Sequence, residues 1–265
     1  MIEYIEPYYQ FALKAIAREA TYRFEVFTGL GSVAVRMYLI RVVWVALYAR
    51  NGAPHGVQLH AIITYSAVAH LMGLILDIDQ TRMLHEKLND GSIVVDFMKP
   101  ISVPLYLFSD GTGEVIFHTI LLVPALVIAL FIVHIDLPSA AVFGAFLLSF
   151  VLGYLVGAML NFILNCVAFW TLEITAVQLM VTWVGDLLGG GIVPLLFFPA
   201  AIQNAILALP FAAMFSTPLL IYIGEYPPER YLQVMGLQVC WIVVLGAISV
   251  VVWRAGARRV VVQGG

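Results

Sequence analysis

The chain has 265 residues, 62% of them hydrophobic, with 13 Lys+Arg against 16 Asp+Glu and a net charge of −3. A mean hydropathy of +0.99 with 11% charged residues excludes an ordinary soluble domain, because a soluble fold of this size needs a charged surface. No basic aromatic patch points to nucleic acid, and the apolar runs are continuous rather than alternating, so membrane crossings read as helices and not as barrel strands.

The first 25 residues carry Glu3, Glu6, Lys14, Arg18, Glu19, Arg23 and Glu25, so no cleavable leader with an apolar centre is expected there. From Pro7 to Phe24 the pattern is amphipathic, with Tyr8, Phe11, Ala12, Ala15 and Ile16 interleaved with Lys14, Arg18, Glu19 and Arg23. Two readings fit: a helix lying in the membrane interface with its basic residues toward headgroups, or a plain extension of the first span. That span is expected over 26–48, with Arg36 and Arg41 inside it, and a second over 61–78. The longest polar internal stretch follows, Asp77 to Lys99. A third span is expected over 115–133, with Asp110 and Glu114 as interfacial residues before it.

Leu137 to Leu172 holds no charge and is too long for one helix, so a fourth span turns near 161–169 into a fifth. Between Ile174 and Gly224 the only charge is Asp186. Two full spans there, with a last one over 234–253, would put the two basic ends on opposite sides. The positive-inside rule places both in the cytoplasm. Gly189-Gly190-Gly191 with Pro194, Pro199, Pro210 and Pro218 instead suggests a broken re-entrant hairpin over 189–224, tolerated at membrane depth only when buried or lining a cavity. The expectation is an all-α membrane protein: one transmembrane domain over 1–265, six transmembrane helices, both termini cytoplasmic, an interfacial segment over 1–25 and a cytoplasmic loop over 79–104. Lys14, Arg18, Arg23, Arg82, Lys87, Lys99, Arg254, Arg258 and Arg259 then lie inside and only Arg50 and Arg230 outside.

Catalytic chemistry has little support. Gly29-Leu-Gly-Ser32 loosely matches the serine motif of intramembrane proteases. A nucleophile needs a base in reach, and none is evident, His118 and His134 bracketing the third span. Cys166 and Cys240 read as small apolar residues, with no disulfide or metal spacing. No phosphate-binding Gly-x4-Gly-Lys-Ser/Thr loop occurs. No enzymatic activity, metal or cofactor is expected in this chain. The strongest functional signal is the loop from Leu88 to Pro104. Asp90-Gly91 marks a turn, Ser92 is placed to cap a helix over 93–98, and Pro100 forbids its continuation. That helix would turn Ile93, Val94 and Phe97 to the membrane or a partner and keep Asp96 and Lys99 polar. A short capped helix of this kind suits transmission of a push from a soluble engine; the alternative is an interfacial helix that merely closes the loop.

The whole chain resembles the permease subunits of ABC-2 type exporters. More narrowly it is similar to a six-span subfamily with a Gly-Asp/Ser-Ile-x-x-Asp-x-x-Arg/Lys-Pro loop after the second span, matched here by Gly91, Ser92, Ile93, Asp96, Lys99 and Pro100. Phe169-Trp170, Gly191-Ile-Val-Pro194, Phe198-Pro199, Leu209-Pro210-Phe211 and Gly264-Gly265 continue the likeness. Lys99 stands where Arg is commoner, and an ammonium cannot fork onto a carboxylate. The resemblance implies a permease in the bacterial plasma (inner) membrane, exporting an amphiphilic, lipid-like or drug-like substrate. It implies pairing with a second copy or a sister permease, and two copies of an ABC ATPase subunit that bind the ATP and Mg. That ATPase would dock on Asp90 to Pro100, Phe97 included, and on the N-terminal helix, while the hairpin with Gly191, Pro194, Pro199 and Pro210 caps the outer end of the path. The rival class is an ion-gradient-driven secondary transporter or channel. Such folds often pair two broken helices, and only one broken region is visible here.

Charges at bilayer depth cost at least about 2.5 kcal/mol each and need a reason. Arg36 and Arg41 face a dimer interface or polar cavity, or else Arg41 snorkels outward and Arg36 pairs within the subunit. Glu173 is either interfacial or on the pathway, and Asp186 lies near the outer end. The acidic set favours cationic cargo. Tyr38, Trp44, Tyr48, Tyr222 and Trp253 read as belt anchors or packing residues. Gly153, Gly157 and Asn161 form a close-packing stripe that serves the subunit itself or a dimer contact.

Overall fold

All regular structure is helical among the residues described by the computed structural model, which are 2–21, 23–51, 57–76, 82–171 and 173–263. The start of the polar loop (77–81), Gly264 and Gly265, and the side chains of Glu3, Glu6, Arg23 and Glu25 lie outside that description. The helices are α1 (Ile2–Glu19), α2 (Arg23–Asn51), α3 (Leu59–Leu76), α4 (Arg82–Asn89), α5 (Ile93–Phe97) and α6 (Val103–Val133). They continue as α7 (Ala140–Cys166), α8 (Thr175–Gly189), α9 (Ala200–Leu207), α10 (Pro210–Met214), α11 (Ser216–Tyr222) and α12 (Pro228–Gln263).

Among the described residues, five helices are long and apolar enough to cross a membrane: Val26–Arg50 in α2, α3, α6, α7 with its 3₁₀ extension to Phe169, and Pro228–Val260 in α12. Helix α8 has 15 residues, about 22 Å at 1.5 Å per residue, which falls short of a hydrocarbon core of about 30 Å. One boundary differs from the sequence reading, and one open alternative is decided. Helix α6 starts at Val103 rather than near 115, because Ser102 is extended and Pro104 sits in the first turn, where its missing N–H costs nothing. Asp110 and Glu114 are therefore inside α6, not before it. Helix α1 is a separate helix, divided from α2 by a turn at Ala20 and Thr21, so it is not an extension of the first span.

Helix α3 is the most enclosed of the five, with 67% of its apolar window buried. Its Ile62, Tyr65, Leu71 and Met72 join Val33 and Met37 of α2, Ala125 and Ala129 of α6, Phe146 of α7 and Leu219 and Ile221 of α11 in the main core. A second core lies at the loop end, where Leu84 of α4 and Ile93 of α5 meet Val103, Leu107, Phe162, Cys166 and Phe169.

Helix α8 ends at Gly190, whose φ of +79° only glycine adopts at ease. The N–H of Gly191 returns to the carbonyl of Asp186 at 2.9 Å, the bond pattern of a Schellman ending. Pro194, Pro199 and Pro210 then stand at three successive helix starts, the first of them a 3₁₀ turn. The segment folds back into the bundle at the two glycines of α7. A Cβ on Gly153 would lie 2.7 Å from the Met214 carbonyl oxygen, and one on Gly157 would lie 2.8 Å from the Met214 methyl. The small-residue stripe thus receives α10 within the same chain. Gln238 of α12, fully buried, donates to the carbonyls of Ser149 (2.9 Å) and Ala213 (2.8 Å) and accepts from the Ser149 hydroxyl (3.0 Å).

Candidate functional site

The loop between α3 and α6 is built around a carboxylate. Asp96 sits on α5 with 1% of its surface exposed. One of its oxygens accepts from Lys87 Nζ of α4, and the other accepts from Lys99 Nζ at 2.7 Å. Burial opposes ionisation of Asp96, but the hydrogen bonds from the two ammoniums outweigh it and hold the carboxyl below its usual range. Lys87 responds in the opposite sense: burial disfavours its charge, the bond to Asp96 restores it, and its pKa is raised. Its ammonium also lies 5.2 Å from the centre of the Tyr106 ring. Removing one partner of such a buried pair costs about 3 kcal/mol, the low end of the usual range because Lys99 is half exposed.

The turn before α5 is made differently from the sequence expectation. Ser92 occupies the cap position, but its side chain makes no capping bond. Instead Asp90 Oδ1 accepts from the Ser92 N–H at 2.8 Å, an Asx-type turn, with Gly91 at φ +75° supplying the reversal. The outward face of α5 is only partly the expected one: Val94 is exposed as expected, but Ile93 is buried and Phe97 half-buried. Ile93, expected outside, is 2% exposed, and Asp96, expected on a polar surface, is buried. Val94, Val95 and Met98 form the exposed face, Met98 at 82%. Phe97 turns inward, its ring centre 6.0 Å from Trp253 of α12. Trp253 is 5.8 Å from Phe162 and 5.5 Å from Phe169 of α7, so it is an aromatic hub rather than a belt anchor. Lys99 and Pro100 are exposed beyond the helix.

Helix α1 is tied to this loop. The Ser102 N–H donates to the Tyr8 hydroxyl at 2.9 Å. Arg18 forks onto Asp110, Nη2 to Oδ2 at 3.1 Å and Nη1 to Oδ1 at 3.4 Å. Between these ties the helices nearly touch, since a Cβ on Gly113 would sit 2.2 Å from the Ala12 carbonyl oxygen. The pairing partners were invisible to spacing arguments. One signal was present, however: a carboxylate inside a helix as apolar as α6 requires a cation nearby.

Comparison with protein-family models matches residues 34–264 to the ABC-2 family transporter protein. The chain belongs to this family. No curated protein and no solved structure matches it. The family is a membrane transport component and not itself catalytic.

Elsewhere in this ABC-2 chain the embedded charges separate into different roles. Arg41 donates to the carbonyl of Ile132 at the end of α6 (2.8 Å), a contact within the subunit. Arg36 is exposed on α2. Glu173 is exposed and accepts from the Thr175 N–H at 2.8 Å, so it satisfies the start of α8. Asp186 lines a cavity of about 250 Å³ between α3, α7, α8 and α10, together with Asn161, Gln178 and Thr182. Tyr222, buried, donates to the Asp136 carbonyl (2.8 Å), and Trp44 donates to Ser66 (2.9 Å). Ser32 and His118 line one cavity, closer than the sequence suggested. The Ser32 hydroxyl is nevertheless engaged with the Gly29 carbonyl at 2.7 Å, and His118 Nδ1 with that of Glu114.

Proposed function

We propose that this chain is the membrane half of an ATP-driven exporter, and that α5 is the element on which a separate ATPase pushes. The observation that carries the reading is the Asp96 clamp. A five-residue helix cannot hold its shape alone. Two lysines and the Ile93 cluster fix this one, while its apolar face of Val94, Val95 and Met98 points away from the protein. A rigid apolar knob on a loop suits docking of a soluble partner better than closure of a loop. Force applied to it enters the bundle through Phe97 and Trp253 to α12, and through Ile93 to the end of α7.

In this reading the loop, α1 and the basic end of α12 face the cytoplasm of a bacterial cell. The proximity of Trp253 to the loop supports that grouping, with Arg254, Arg258 and Arg259 following it. Helix α8 and the broken segment α9–α11 together make the remaining crossing and re-entrant hairpin, giving six membrane passages with both termini inside. The hairpin plugs the outer end of a path for amphiphilic cargo. The working unit is two permeases, identical or sister, with two ATPase subunits binding ATP and Mg. Closure of the ATPase pair draws the two α5 helices together and opens the path outward.

The test is affinity purification of the tagged chain in mild detergent, followed by intact-complex mass spectrometry, with cysteines at Val95 and Met98 for crosslinking. Recovery with two nucleotide-binding subunits, crosslinked through those positions, is the expected result. A bare chain or bare dimer, with no ATPase captured even after crosslinking, overturns the reading in favour of a gradient-driven transporter.

A further inference from the structure

We infer that the cavity beside Asp186 is a binding site for the ammonium headgroup of a cationic amphiphile. The inference rests on the exporter reading only in treating the occupant as cargo. Gln178, Thr182 and Asp186 recur every four residues and so share one face of α8. Opposite them α7 presents Asn161, and Asn165 accepts from Gln178 Nε2 at 3.1 Å. A polar seam therefore runs between two otherwise apolar helices, from the start of α8 to Asp186 about 16 Å farther along it.

Asp186 has no cationic partner among the described residues. Its backbone carbonyl is occupied by Gly191, but its carboxylate faces the cavity unpaired. Asp110, an acid inside the long apolar helix α6, is matched by Arg18. An unpaired carboxylate at membrane depth is costly, and a cation entering the cavity removes that cost. The walls fit the rest of such a ligand. Phe211, Met214 and Phe215 of the hairpin close one end, and Leu160, Leu164 and Val181 line the side. Aromatic faces favour an alkylammonium. At about 250 Å³ the space is below the range of pockets that enclose a whole drug-sized molecule. It holds a headgroup and leaves the alkyl chain in the lipid beside α7 and α8, where Leu155, Leu179 and Trp183 are exposed.

The test uses the full chain in dodecyl maltoside micelles, whose headgroups carry no ammonium, with tritiated dodecyltrimethylammonium as the probe and dodecyl sulfate as the anionic comparison. Saturable binding of the cation alone is expected, weakened at least about tenfold in Asp186→Asn and kept within about twofold in Glu229→Gln, whose carboxylate lies at the exposed start of α12. Thr182→Phe fills the cavity without touching the charge and is expected to lose binding as well. It carries the test if Asp186→Asn fails to fold by its melting curve. Adding phosphatidylethanolamine to the micelles displaces the probe if the natural ammonium belongs to a lipid, and leaves it bound if it belongs to a free amphiphile; either result supports the site. Binding unchanged in both variants, equal uptake of dodecyl sulfate, or no saturable binding at all overturns it. None of these readouts involves an ATPase, so failure here and failure of the exporter assembly are separate results.

Discussion

The loop region and the folded-back segment α9–α11 are held in place by opposite chemistry. At the loop end, Asp96 with Lys87 and Lys99, and Arg18 with Asp110, fasten α1, α4, α5 and α6 by ion pairs. At the folded-back segment α9–α11, no ion pair occurs among the described residues, and neutral bonds do the work. Ser216 donates to the Gly189 carbonyl (2.7 Å), Tyr65 to that of Gly190 (3.0 Å), and Gln238 to those of Ser149 and Ala213. Ion pairs withstand the edge of a membrane because the cationic partners Lys87, Lys99 and Arg18 keep some contact with water. In the interior the desolvation penalty exceeds their attraction, and a neutral amide or hydroxyl satisfies a broken backbone at lower cost.

The largest expected effect comes from reversing the charge at the clamp. Asp96→Lys gathers three ammoniums in one buried spot and should cost about 4 kcal/mol locally. Membrane insertion is expected to remain normal, the loop to become protease-sensitive and substrate-stimulated ATP hydrolysis by the assembled complex to be lost. Unchanged stimulation would count against the coupling role.

Next is Gly113→Leu, which forces a side chain against the Ala12 backbone. Overpacking of about 3 kcal/mol should release α1, measurable as cleavage of the first 20 or so residues (roughly the α1 span) with the rest of the chain intact. Gln238→Leu addresses the folded-back segment. It leaves the Ala213 carbonyl without the Gln238 amide and should lower stability by about 1–2 kcal/mol, seen as a lower melting temperature in detergent with the loop unaffected.

Acid should separate the two regions cleanly. The Asp96 pKa is depressed, so its contribution is full above the ordinary carboxylate value and disappears as pH falls through the lowered one. The Lys87 pKa is raised, so its share persists up to the ordinary lysine value and is lost as pH climbs through the raised one. Pepsin is therefore expected to cut the loop only below the normal carboxylate range, while the hairpin, lacking ion pairs, stays protected. Cutting that begins at mildly acidic pH would contradict the clamp. The smallest effect is Ser92→Ala, expected within about 0.5 kcal/mol because its side chain makes no capping bond. A larger loss in chemical denaturation would restore the cap that the sequence suggested.

The broken segment was legible from Gly189–Gly191 and the prolines because backbone geometry is a local property: glycine permits φ +79° and proline starts helices. The limits of the loop helix were legible for the same reason, from Asp90-Gly91 and Pro100. Its orientation was not. Five residues carry too little periodicity to assign a face. The burial of Asp96 depends on Lys87, which sits on a different helix where no spacing rule connects them. For Trp253 the sequence left belt anchoring and packing both open, since only the meeting of the ends of α5 and α7 with it selects packing.

Helix α1 is joined to the head of α6 at Tyr8, Ala12 and Arg18. Three attachments spread over about three helical turns leave neither tilt nor slide between them, so the two move as one plate. The amphipathic pattern of α1 suits a helix resting among headgroups; there the plate would act as a float, and the loop helix would be carried at a height set by how deeply that float sinks. A change in bilayer thickness or surface charge would then alter the reach of α5 toward its partner without any residue of the loop being touched.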